Sequence, residues 1–238
     1  MAPLQTWPGT CEMLKSNPNS PTFVFDDLPL HWQMTRCEKF ALGSLLTHID
    51  PETSIEVGTY KGGSLQVISD SSAEVYSIDI NPCDDSITSK FNNVRFLTGP
   101  SKEILPDLLK RIYEFNQHLQ FVLIDGDHST EGVRGDINAV LQYHPSSPLY
   151  VVLHDSFHPP CRQGMLTASW QECPWVHYVE IDFIPGVYHH EAFDTAAPRS
   201  MYGGLAVAVL KPELRKGELV IHQSQRGLYD MVRKNSNN

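Results

Sequence analysis

Several things are scarce in this chain of 238 residues, and each scarcity closes a class of function. The five cysteines, at 11, 37, 83, 161 and 173, are odd in number and contain no C-x-x-C pair. That usage fits scattered thiols in a reducing compartment better than a disulfide frame or a zinc site. Basic residues are in deficit: 18 Lys and Arg against 28 Asp and Glu leave a net charge of −10. A groove for nucleic-acid phosphates needs clustered cations, so nucleic acid is not an expected partner. Long apolar runs are missing too, and a stretch such as Leu205–Leu210 is far below the ~20 residues a bilayer-spanning helix needs. The opening Met-Ala-Pro-Leu-Gln-Thr-Trp-Pro carries no basic segment followed by an apolar one, so no secretory leader is read there. The expectation is a cytoplasmic protein without a membrane partner; a homo-oligomer stays open.

What is present suits a folded enzyme-sized domain. Apolar residues make up 41% and charged residues 19%, enough core and too little charge for disorder. The reading is a single domain over 1–238. Residues 1–50 form an irregular proline-rich arm and then an amphipathic helix, predicted over 33–48 from its apolar spacing, that either covers the core or serves as a lid. A core follows over 51–211, and then a polar tail over 212–238, with one short β-like run at 218–222 and a fraying end. The core alternates short apolar runs with helical patterns. Strands are predicted at 53–57, 75–79, 94–97, 119–124 and 149–153, with helices at 64–71, 102–115 and after a capping Ser129. The most apolar run, 119–124, belongs mid-sheet. A short helix is expected near 163–171. Two further runs, 176–183 and 205–210, have no helix between them and must pair antiparallel. The fold class is therefore α/β: a Rossmann-like, doubly wound, seven-stranded sheet, mostly parallel, with its seventh strand reversed.

The dinucleotide fingerprint G-x-G-x-x-G is also absent. In its place stands Glu56-Val-Gly58-Thr-Tyr60-Lys-Gly62-Gly-Ser64, a strand end, a glycine turn and a helix start. Asp79 closes the second strand about twenty residues on, where a carboxylate can accept the hydroxyls of a ribose. Gly99, Pro100 and Ser101 follow the third strand; they can border a flat base, and Ser101 can equally cap the next helix. Asp125-Gly126-Asp127-His128 crowds the carboxyl end of the fourth strand. His154-Asp155-Ser156 ends the fifth at the same edge. Asp125, Asp155 and His154 can meet on one divalent cation, with Mg²⁺ favoured by the carboxylates and Mn²⁺ left open by the histidine.

These residues resemble the class I S-adenosylmethionine-dependent methyltransferases, and more narrowly the metal-dependent O-methyltransferases of the catechol and the sugar or macrolide types. The resemblance implies that Glu56, Gly58, Gly62 and Ser64 hold the methionine part of S-adenosylmethionine, with Tyr60 also cofactor-binding. Asp79 would take the ribose, Gly99, Pro100 and Ser101 would flank the adenine, and Asp125, Gly126 and Asp127 would also bind the cofactor. It implies His128 as general base, and a cation on Asp125 and Asp155. At the fifth strand end the family carries Asp-Asn or two adjacent acids, whereas this chain has His154-Asp155-Ser156. Cephalosporin-hydroxylase-like relatives share the Ile-Asp-Gly-Asp-His-Ser string. The implied reaction is methyl transfer to a hydroxyl of a small molecule. The competing readings are a nicotinamide-dependent oxidoreductase and a catalytically silent cofactor-binding module.

Overall fold

A computed structural model describes residues 28–189 and 200–236. The arm at 1–27, with Cys11, and part of the His-rich loop, with His190 and Phe193, lie outside the described residues. The central sheet begins with β1 (Thr53–Val57), β2 (Glu74–Asp79), β3 (Val94–Thr98), β4 (Leu119–Ile124) and β5 (Leu149–His154). It continues with β6 (Val176–Ile184), β9 (Leu205–Leu210) and β10 (Ile221–His222). A two-stranded ribbon, β7 (Val187–His189) with β8 (Ser200–Tyr202), stands apart from it. The strand order is β10-β6-β9-β5-β4-β1-β2-β3, so β4 is central. The first five strands are mutually parallel, and β9 runs antiparallel to both β5 and β6.

The sheet is buried on both faces, which is why β1 and most of β4 read as unbroken buried runs. On one face lie α4 (Ser101–Glu114) and α5 (Thr130–Val140), with Leu105, Leu109, Ile112, Val133 and Ile137 packed into the sheet. On the other lie α1 (Arg36–Ile49) and α2 (Gly63–Ser71), contributing Leu42, Leu46, Leu65 and Ile68. Helices on both faces of a parallel sheet make it doubly wound. Parallel strands bring Val57, Asp79, Thr98, Ile124 and His154 to one edge. Strand order reverses between β1 and β4, the crevice where such sheets bind ligands.

The structure adds to the sequence reading in four places. Within the β-like run of the tail, Ile221–His222 pairs in parallel with β6, so among the described residues the main sheet has eight strands, the seven expected plus this edge pair. The helix expected near 163–171 is α6 (Pro159–Leu166), begun by prolines at its first two positions, where their missing N–H groups cost nothing. The polar tail holds α7 (Arg226–Ser236), whose Tyr229 ring lies 4.3 Å from the Arg162 guanidinium. A short helix α3 (Asp85–Thr88), capped by Asp84, also escaped the sequence pattern.

Candidate active site

The glycine turn forms because its backbone has no alternative. Gly58 has φ +100, and a Cβ there would come 2.1 Å from the Asp125 carbonyl oxygen. Only glycine lets the ends of β1 and β4 approach this closely. Glu56, on β1 just before the turn, is fully buried and accepts hydroxyl bonds from Ser64 (2.5 Å) and Ser77 (2.8 Å). Burial lifts its carboxyl to about 8, the two serine bonds opposing the rise. Gly62 begins α2 in the left-handed region with no side-chain cap, leaving first-turn N–H groups for other acceptors.

Asp79 binds the turn together. Its Oδ2 accepts the backbone N–H groups of Thr59 (3.0 Å) and Tyr60 (2.9 Å), and its Oδ1 accepts that of Asn81 (2.9 Å). Tyr60 is held at φ +44 with its ring exposed. A hollow of about 120 Å³ opens here, lined by Thr59, Tyr60, Asp79, Asn81, Pro82 and Cys83. Gly99 donates its N–H to the Asp79 carbonyl (2.8 Å), Pro100 is the N-cap of α4, and Ser101 is that helix's first residue. The Ser101 hydroxyl bonds Asp136, whose carboxyl burial raises to about 6. These groups border the same edge as the turn.

The acid and histidine cluster sits next to it. Ser129 caps α5 by accepting the Gly132 N–H at 3.0 Å, which fixes where the preceding loop leaves β4. Asp127 turns aside to accept the Ser129 N–H at 2.8 Å. Gly126 packs under Val57, where a Cβ would meet the Val57 side chain at 3.0 Å. His128 lies between two carboxylates, Nε2 3.4 Å from Asp125 Oδ1 and Nδ1 3.6 Å from Asp155 Oδ2. The Asp125 bond and the charge of both acids raise its pKa against the opposing effect of burial.

His154 lies among carboxylates, its Nδ1 3.8 Å from Asp155 Oδ2. Its Nδ1 is bonded to Asp125 at 2.9 Å, and its Nε2 faces Glu38 at 3.6 Å with no hydrogen-bond partner among the described residues. Burial works to lower the His154 pKa, but the charges of Asp125 and Asp155 raise it well above the ordinary value. Burial likewise works to raise the Asp125 carboxyl, which His154 and His128 nevertheless hold down at about 2. One trio whose ligand atoms come within 4.8 Å of one another is Asp125, His128 and Asp155; the expected set was Asp125, His154 and Asp155.

Glu38 was missed by the sequence reading. It is buried on α1, closes a capping box with Thr35, and accepts the Gly204 N–H. Gly203, next door, donates its N–H to Asp155 Oδ1. Thr35-x-x-Glu38 is legible as a cap, but a cap does not announce that its carboxylate also reaches a turn 166 residues away.

Residues 55–156 match a family model described as a methyltransferase domain. No curated protein matches the chain. Solved structures do. Cofactor-bound Rv0187 from MTB aligns at 15% identity and TM-score 0.51, over 79% of this chain and 86% of that one. The O-methyltransferase from Bacillus cereus in complex with SAH aligns at 15% identity and TM-score 0.50, over 75% and 82%. The O-methyltransferase TomG from Streptomyces achromogenes, involved in tomaymycin synthesis and in complex with SAM, aligns at 14% identity and TM-score 0.52, over 78% and 84%. At these identities the likeness is one of fold.

Proposed function

We propose that this chain, which carries a methyltransferase domain of the class I S-adenosylmethionine-dependent fold, moves a methyl group from that cofactor to a hydroxyl of a small molecule. The observation that carries the reading is the convergence of Asp125, His128 and Asp155 beside the glycine turn, at the sheet edge where ligands meet strand ends. The cradle suits the cofactor. Gly58 keeps the floor bare, the α2 N-terminus is uncapped, and Asp79 Oδ1 keeps one lone pair to offer toward its hollow.

When bound, S-adenosylmethionine supplies an already electrophilic methyl group. The chain's own residues then have two tasks, to align an oxygen with that methyl and to make the oxygen nucleophilic. Glu56 and Ser64 fix the turn from beneath, and Asp79 braces it from the side. His128, half exposed between two acids, takes the hydroxyl proton, and Asp125 and Asp155 stabilise the imidazolium that forms. Asp125 and Asp155 are also the carboxylates that would hold a divalent cation at this edge. A cation there lowers the pKa of a hydroxyl bound to it. In this geometry His154 serves as a partner of Asp125.

The test is His128→Ala, assayed by S-adenosylhomocysteine release over a panel of phenolic and sugar acceptors. Turnover should fall by about 10²–10⁴ with cofactor affinity nearly unchanged. Unaltered turnover removes His128 as the base.

A further inference from the structure

His158 and Cys161 have no part in the reaction above, yet both lie beside it. The spacing Asp155-x-x-His158-x-x-Cys161 winds the three onto one side of the loop and first turns of α6. One ligand atom from each lies within 4.8 Å of the others, and His158 Nδ1 is 3.3 Å from Cys161 Sγ. We propose that Asp155, His158 and Cys161 bind a borderline-soft divalent cation of the Zn²⁺ class, leaving a fourth position open to water or to an acceptor oxygen.

The donor chemistry selects that class. A thiolate, an imidazole and a carboxylate suit Zn²⁺, whereas Mg²⁺ asks for oxygen ligands. Three protein ligands with one open position is the pattern of a reactive centre; structural zinc sites are closed. The donors are also held in advance. The His158 ring stacks on Tyr202, with centroids 5.0 Å apart and planes at 15°. Asp155 sits at φ +58, in the left-handed region that aspartate tolerates better than most residues. Its Oδ1 is tied to the Gly203 N–H, and its Oδ2 faces His128 and His154.

Charge argues the same way. Cys161 is fully buried, and the carboxylates acting on it are Asp155, Asp125 and Asp127. The adjacent cation, Arg162, turns instead to Asp182 (2.6 Å) and the Ser156 carbonyl (3.2 Å). A bound cation supplies the missing positive charge. Its binding replaces the thiol proton, now directed at the His128 carbonyl 3.4 Å away, and that proton leaves to solvent. A cation on the Asp125–His128–Asp155 trio would consume the base as a ligand. The softer set leaves His128 free. Only the use made of the cation rests on the methyl-transfer reading; its binding does not.

The experiment titrates the full reduced chain with Co²⁺ and Zn²⁺, reading absorbance and heat, for wild type, Cys161→Ser, His158→Ala and Asp125→Asn. Wild type should take about one equivalent and show a thiolate-to-Co²⁺ charge-transfer band. Cys161→Ser should abolish the band and weaken Zn²⁺ binding beyond the ~10–100-fold that outer-shell partners contribute. His158→Ala should weaken it similarly, while Asp125→Asn keeps the band. No binding, or binding without a thiolate band in wild type, overturns the assignment before any variant is made. A band that survives Cys161→Ser, or binding lost in Asp125→Asn and kept in Cys161→Ser, overturns it as well. Methyl transfer by a protein that shows no such band would sink this inference alone. Metal binding without methyl transfer would sink only the proposed reaction.

Discussion

Glu56→Gln offers a direct measurement of what burial does inside the cradle. The native carboxyl, fully buried and bonded to Ser64 and Ser77, is raised from 4.5 to about 8, so the ligand-free fold keeps it protonated at neutral pH. A raised folded pKa gives stability that is complete below the unfolded value and is lost as pH climbs through the folded one. Between those limits the native state holds about one proton more than the unfolded chain. Wild-type stability should therefore fall by up to ~1.4 kcal/mol per pH unit from this group alone. Glutamine copies the neutral acid's shape and does not titrate, so the variant lacks that slope. From pH 5 to 8 the stability gap between the two proteins should move by about 3–4 kcal/mol in favour of Glu56→Gln. Urea unfolding of both proteins, ligand-free, at several pH values across that range reads the gap through midpoint and slope. A gap that stays constant with pH would refute the reasoning, since it would mean Glu56 is ionised in the native state.

Two other substitutions test neighbouring parts of the structure. Asp79→Ala removes the acceptor for the Thr59, Tyr60 and Asn81 N–H groups and should raise the dissociation constant for S-adenosylhomocysteine at least ~10-fold by calorimetry; undiminished affinity would detach Asp79 from the cofactor. Arg162→Met strands Asp182 as a buried, unpaired acid and should lower unfolding stability by about 3–5 kcal/mol, with Asp182→Asn restoring much of it in the double variant; a loss under ~1 kcal/mol would show that the pair is not what anchors α6 to β6.

Much of the fold was legible because its signals are local. Leu119–Ile124 reads as a buried parallel strand because both faces are covered and its run is almost wholly apolar, whereas Thr53–Val57, buried throughout but carrying Thr53, Ser54 and Glu56, was marked by the glycine turn that follows it. Ser129 and the glycine turn were readable for the same reason, their job being done within a few residues. Where local signals were weak the reading fell short. The β-like run near 218–222 was visible, but a pair as short as Ile221–His222 does not say which strand it joins. Helix α7 has a polar sequence whose anchor, Tyr229 against Arg162, comes from elsewhere in the chain.

The candidate site divides along the same line. The sequence by itself determined which groups arrive at the carboxyl edge, because parallel strands with residues such as Asp79, Asp125 and Asp155 at their ends have only one edge to bring them to. Tertiary structure alone decided how those groups face one another. His154 turns toward Asp125 and Glu38, His128 settles between two acids, and Cys161 comes up beneath them from α6. Side-chain direction depends on the φ/ψ of loop residues and on contacts spanning the whole chain, such as Glu38 with Gly204, and no short spacing encodes either.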